Sequence, residues 1–221
     1  MQAHGSFRTW AGTGLIAALA AIALPASAQS TLIDDFNSGD QHIIFGSGNA
    51  VGTHDSDSNA WRTLSATLTQ ATSPVNSEAQ VDSGVLDITN SSRASMETLV
   101  QWNLSAGQVP AGLGPSSFTM QVIHADDSPM TIDLLWNGSV IGSYNQNGAV
   151  NNQTFSIPLG NTNLSSGGLL GLRINGARGY DLTLDYVSIT PTVPEPASLG
   201  LMLAGLAAGA GLKLRRKAQN A

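Results

Sequence analysis

Between residue 29 and about residue 192, apolar positions come in short runs rich in β-branched and aromatic residues. Gly, Asn, Ser and Pro separate these runs every 8 to 15 residues. No helical period of comparable length appears, and such spacing predicts an all-β sandwich or barrel. The clearest hairpin is Met130 to Tyr144. Ile132, Leu134 and Trp136 alternate on one face, Asn137-Gly138 supplies the positive-φ pair of a type I′ turn, and Val140, Ile141 and Tyr144 return. Further strands are predicted at Leu32–Phe36, Ile43–Phe45, Trp61–Leu68, Val85–Thr89, Met96–Leu104, Phe118–His124, Gln153–Leu159, Leu169–Ile174 and Tyr180–Ile189. In the last of these, Leu182, Leu184 and Tyr186 face one way and Asp181, Thr183 and Asp185 the other. One face is core and one is wet, as an antiparallel sandwich requires.

The two ends follow a different pattern. Arg8 precedes an apolar run from Trp10 to Leu24, and Pro25-Ala26-Ser27-Ala28 supplies the small residues that signal peptidase accepts around its cut. The run would make about 22 Å of helix, short of the ~30 Å hydrocarbon core. Residues 1–28 therefore read as a signal peptide cut after Ala28, with Ala26 and Ala28 as the recognised residues. At the other end, Ala197 to Leu212 is apolar and uncharged, and Lys213, Arg215, Arg216 and Lys217 follow at once. The positive-inside rule leaves that tail cytoplasmic and the body outside the inner membrane.

Immediately before the apolar segment stands Val193-Pro194-Glu195-Pro196. Pro-Glu-Pro, a short Gly-rich apolar helix and an Arg-rich end, in this order, closely resemble the PEP-CTERM sorting signal of Gram-negative bacteria, here covering residues 193–217. The resemblance implies an exported exosortase substrate, held in the inner membrane as a precursor and then passed to the cell surface or extracellular matrix. Pro194, Glu195, Pro196, Arg215 and Arg216 would be recognition residues of a substrate, with two prolines keeping the tripeptide extended for a peptidase to grip. The host would also make exopolysaccharide.

Composition sharpens the body. Charged residues make up 11% of the chain and cysteine is absent, which excludes a disulfide scaffold, a cysteine-ligated zinc site and a cysteine nucleophile. Between Ala28 and Pro194 stand four arginines and no lysine against fourteen acids. So acidic a body, with no basic patch, is repelled by phosphate backbones, and nucleic acid is not expected as a partner.

A second resemblance is carried by Ile33-Asp34-Asp35-Phe36 at the start of the body and Leu182 to Ile189 at its end. These look like the first and last strands of jelly-roll carbohydrate-binding modules and their galactose-binding-like relatives. The resemblance implies a jelly-roll sandwich and a structural calcium held by Asp34 or Asp35 and Asp185, with backbone carbonyls completing the oxygen shell. Binding a sugar would need an exposed aromatic to stack on a pyranose ring. Trp136 shares its face with Ile132 and Leu134, and Trp102 with Val100 and Leu104, which assigns both to the core. Trp61, after an acidic loop, and Tyr180, after Gly179, are the expected carbohydrate contacts. His42, His54 and His124 are dispersed, and no Gly-x-Ser-x-Gly, His-Glu-x-x-His or phosphate-cradling loop occurs, so no catalytic residue is assigned.

The sequence thus predicts three segments: signal peptide 1–28, β-sandwich 29–192 and sorting signal 193–217 with its transmembrane helix. The expected function is that of a non-catalytic component of an exopolysaccharide or biofilm matrix. The alternative is a carbohydrate-binding module for exopolysaccharide.

Overall fold

The computed structural model describes residues 30–45, 51–55, 61–72, 75–111 and 116–191, with the backbone alone at 51–55. Thirteen strands run through them, all paired antiparallel. Sheet A is ordered β11 (Val150–Pro158), β8 (Ser116–Ala125), β13 (Asp181–Pro191), β6 (Val85–Thr89), β5 (Ser77–Asp82), β2 (Gln41–Phe45), and β1 (Thr31–Asp34) also pairs with β13. Sheet B is ordered β10 (Ser139–Gln146), β9 (Met130–Trp136), β12 (Gly168–Gly176), β7 (Ala94–Leu104), β4 (Trp61–Ala71), β3 (Val51–Asp55). All of these strands fall within one compact unit, Ala28–Thr192. The fold is the all-β antiparallel sandwich of jelly-roll type that the spacing and the end strands imply.

Alternation places the core between the sheets. Along β7, Met96, Val100, Trp102 and Leu104 are buried while Glu97, Leu99 and Gln101 point outward. Leu170, Leu172 and Ile174 of β12 and Ile132 and Leu134 of β9 meet Phe118, Met120, Leu182 and Leu184 of sheet A in a single hydrophobic cluster. The Trp102 and Phe118 rings, one from each sheet, lie 6.4 Å apart. At one side of the sandwich the edge strands β10 and β11 close on each other: the Tyr144 and Phe155 rings pack in a tilted arrangement with centroids 4.6 Å apart, and a side chain at Gly142 would collide with Ile157.

The hairpin turn forms where the sequence puts it, with Asn137 at φ 49° and Gly138 at φ 82°. Trp136 packs only half-buried at the margin of the core rather than inside it. Two strands, β3 and β5, carry no clear signal. The inward residues of β5 are Ser77, Ala79 and Val81, too small to read as a core stripe. The alternation expected in β13 holds through Leu184 and then slips. Between Leu184 and Val187 the register with β8 takes an extra residue, so Val187 and Ile189 turn inward and Tyr186 leaves the core phase.

Candidate functional site

A bulge in β1 controls the fate of the first acidic pair. Leu32 pairs with Ser188 and Asp34 with Val187, so one residue is extra and both Ile33 and Asp34 are buried. Asp34 Oδ1 accepts from the Phe36 backbone N–H (2.9 Å) and from Arg62 Nη1 (2.9 Å). Its Oδ2 accepts from Arg62 Nη1 (2.7 Å) and from Trp102 Nε1 (2.7 Å). Arg62 Nη2 donates to the carbonyls of Ser38 (2.7 Å) and Gly39 (2.6 Å), and Nε to Gln41 Oε1 (3.0 Å). The guanidinium also sits 5.6 Å from the Phe36 ring centroid, and both Arg62 and Asp34 are 0% exposed. Arg62 and Trp102 are register partners in sheet B, whereas Asp34 belongs to sheet A. The ion pair therefore bolts the two sheets together and fixes the β1–β2 connection.

This geometry bears on the expected calcium ligands. Asp34 spends its oxygens on Arg62, Trp102 and the Phe36 amide, while Asp35 accepts from the Asn37 amide (3.1 Å). Asp185 lies half-buried on β13 beside the bulge. Among the described residues no group of three or more His, Asp or Glu is placed to share a metal ion.

Tyr180 corrects an expectation. It is fully buried, not exposed, because Gly179 at φ 71° turns the chain so that the ring lies directly on Gly176. Burial pushes its hydroxyl above the ordinary range, partly offset by the Thr98 hydroxyl, and neither hydroxyl finds a partner of good hydrogen-bond geometry. No ligand can reach it.

Trp61, by contrast, is 56% exposed at the start of β4. Register places Asn103 of β7 beside it and Leu169 of β12 beyond, both exposed. The next outward row runs Thr63, Gln101, Gly171, Leu135, Val140 across five strands. The row after that runs Ser65, Leu99, Arg173, Asp133, Ser143. Here Asp133 Oδ2 accepts from Arg173 Nη2 (2.7 Å) and Nε (3.2 Å), and its Oδ1 from Ser143 Oγ (2.6 Å). Burial raises the Asp133 pKa, but the Ser143 and Arg173 hydrogen bonds and the arginine charge outweigh it and hold the carboxyl below its usual value. The face thus carries one exposed indole amid amides, hydroxyls and aliphatic side chains.

His42 and His124 occupy the outer face of sheet A. His42 Nε2 lies 3.3 Å from Glu78 Oε2, and His124 Nδ1 lies 3.2 Å from Asn151 Oδ1. They share the register row His42, Gln80, Asp87, Thr183, His124. Four strand steps of about 4.8 Å separate them by nearly 20 Å, too far for joint acid–base work.

Ala26, Ala28, Pro194, Glu195, Pro196, Arg215, Arg216 and the apolar segment 197–212 lie outside the described residues. Among those described, no helix is long and apolar enough to cross a membrane. Comparison with known proteins bears on this end directly, since a profile of the PEP-CTERM protein-sorting motif matches residues 192–217. No curated protein matches the sequence. Among solved structures, an exo-β-agarase is similar at 12% identity and TM-score 0.39, over 76% of this chain and 25% of that one. The family 11 carbohydrate-binding module of a Clostridium thermocellum cellulosomal cellulase is similar at 11% identity and TM-score 0.35, over 77% of this chain and 99% of that one. The CBM22-1 and GH10 modules of a Clostridium thermocellum endo-1,4-β-D-xylanase are similar at 12% identity and TM-score 0.34, over 74% of this chain and 29% of that one. This chain thus spans under a third of the agarase and xylanase chains. The matched motif indicates an exported protein, held transiently at the membrane and processed by an exosortase.

Proposed function

We propose that the mature body is a non-catalytic component of the extracellular polysaccharide matrix, attached to the polysaccharide through the outer face of sheet B. The observation that carries this reading is Trp61, a large aromatic left 56% exposed on a sheet face with Asn103, Gln101 and Thr63 around it. An indole offers a flat apolar surface to the C–H face of a pyranose, and neighbouring amides and hydroxyls exchange hydrogen bonds with the sugar hydroxyls. Export and sorting to the cell surface would bring that face to secreted polysaccharide. The non-catalytic part of the reading is supported by the engagement of Asp34 by Arg62 and of Asp133 by Arg173 and Ser143, and by the nearly 20 Å between His42 and His124.

The test is retention of the full chain on polysaccharide secreted by the producing cells, compared with Trp61→Ala. Losing a central aromatic contact costs about 2 kcal/mol, roughly thirtyfold in affinity, while folding stability stays within about 0.5 kcal/mol because the side chain is largely exposed. Equal retention of both proteins, or none of either, removes the reading.

A further inference from the structure

We infer that the polysaccharide taken by the Trp61 face is neutral, an inference that rests on the platform proposed above. An anionic polysaccharide needs cations at the binding face, and the positions of all four arginines of the body are known. Arg62 is buried and wholly engaged by Asp34, Gln41 and the Ser38 and Gly39 carbonyls. Arg173 is the one cationic residue on the outer face of sheet B, and its Nε and Nη2 both close on Asp133. Arg93 and Arg178 are exposed, but they sit in the turns before β7 and after β12. Those turns lie at the end of the sandwich opposite Trp61, because Trp61 pairs with Asn103 at the far end of β7 and Leu169 begins β12. The ten residues from Arg93 to Asn103 put about 30 Å between that arginine and the tryptophan row. This is several times the screening length of about 8 Å at physiological ionic strength.

What does surround the face is negative. Asp55 of β3 is the register partner of Trp61, Glu97 points outward from sheet B, Asp133 offsets Arg173, and the body as a whole sets fourteen acids against its four arginines. A uronate or sulfate group laid along Trp61, Asn103 and Leu169 would be desolvated without a counter-charge and repelled by the rest of the molecule. Among the described side chains, a neutral chain meets an indole, an amide and an aliphatic side chain along the row, with the Gln101 amide and Thr63 hydroxyl one row away. Across two strand steps that row is about 10 Å wide.

The experiment is affinity electrophoresis of the full chain in mild detergent, wild type and Trp61→Ala. The gels contain neutral polymers (β-glucan, galactomannan, xylan and hydroxyethyl cellulose) or anionic ones (alginate and polygalacturonate). Each is run with chelator at about 20 mM and about 500 mM salt, conditions that bracket strong and weak screening. The expected result is retardation by at least one neutral polymer, changed less than twofold by salt and lost in Trp61→Ala, with no retardation by the anionic polymers. Trp61-dependent retardation by an anionic polymer at either salt overturns the neutrality while leaving the platform standing. Retardation by no polymer overturns the platform and this inference with it.

Discussion

A guanidinium taken out of water costs several kcal/mol unless every N–H is met, and Arg62 shows how that cost is covered. Its three nitrogens all donate, to Asp34, Gln41, Ser38 and Gly39, and the Asp34 carboxylate gains the Trp102 indole N–H as well. Arg62→Met strands the carboxylate in the core, and the expected loss is about 3–5 kcal/mol, read as a lower midpoint in urea unfolding. Replacing both partners, Asp34→Leu with Arg62→Met, is expected to recover much of that loss, since no unpaired charge remains. Arg62 was partly legible: in Trp-Arg-Thr-Leu-Ser-Ala it shares phase with Leu64 and Ala66, so an inward strand position was there to read. Its partner was not. Asp34 and Asp35 in tandem look like oxygen ligands, and only the β1 bulge, a product of pairing with a strand more than 150 residues away, shows that Asp34 faces the core. Tyr180 misled for a related reason, because a glycine that marks a turn does not say which way the turn aims the next ring.

Strands were most legible where large residues alternate, as in β7 and β12, and least where small ones line the core, as in β5. Their outer faces carry the electrostatics. The Asp133 to Arg173 pair ties β9 to β12, and Ser143 adds β10. Since the folded-state pKa of Asp133 lies below its unfolded value of 3.8, its contribution is present above that value and is lost as pH falls through the folded one. Asp181 at the start of β13 has the opposite sign. Burial raises its pKa, helped by the charges of Asp126 and Asp87 against a hydrogen bond from the Asn90 amide, so its ionised form at neutral pH opposes folding. Melting temperatures from pH 6 down to pH 3 are expected to fall less steeply at the acid end in Asp133→Asn than in the wild type. Matching slopes would show that this pair is not part of the acid limb.

At the scale of the molecule, the sorting motif was legible because it is short and linear: the tripeptide, the apolar segment and the basic tail are contiguous in sequence. The proposed carbohydrate face was legible only as Trp61. Its neighbours Asn103 and Leu169 join it through the register of three strands spread over more than a hundred residues, which no local pattern encodes. Intact-mass analysis of the surface fraction tests the sorting step, the expected mass being that of a chain without residues 1–28 and 197–221. A chain still carrying residues 197–221 counts against exosortase processing.

The pairing of β1, β6 and β8 with β13 also sets a schedule and a limit. A chain threaded outward from its N-terminus delivers β1 first and β13 last, so Thr31 must wait for Ile189 to emerge before sheet A can close. The same strand ends at Pro191, one residue before the sorting motif begins. A peptidase that trimmed upstream of that boundary would pull out the strand that three others share. The fold thus confines any cut that leaves an intact body to the stretch beyond Pro191.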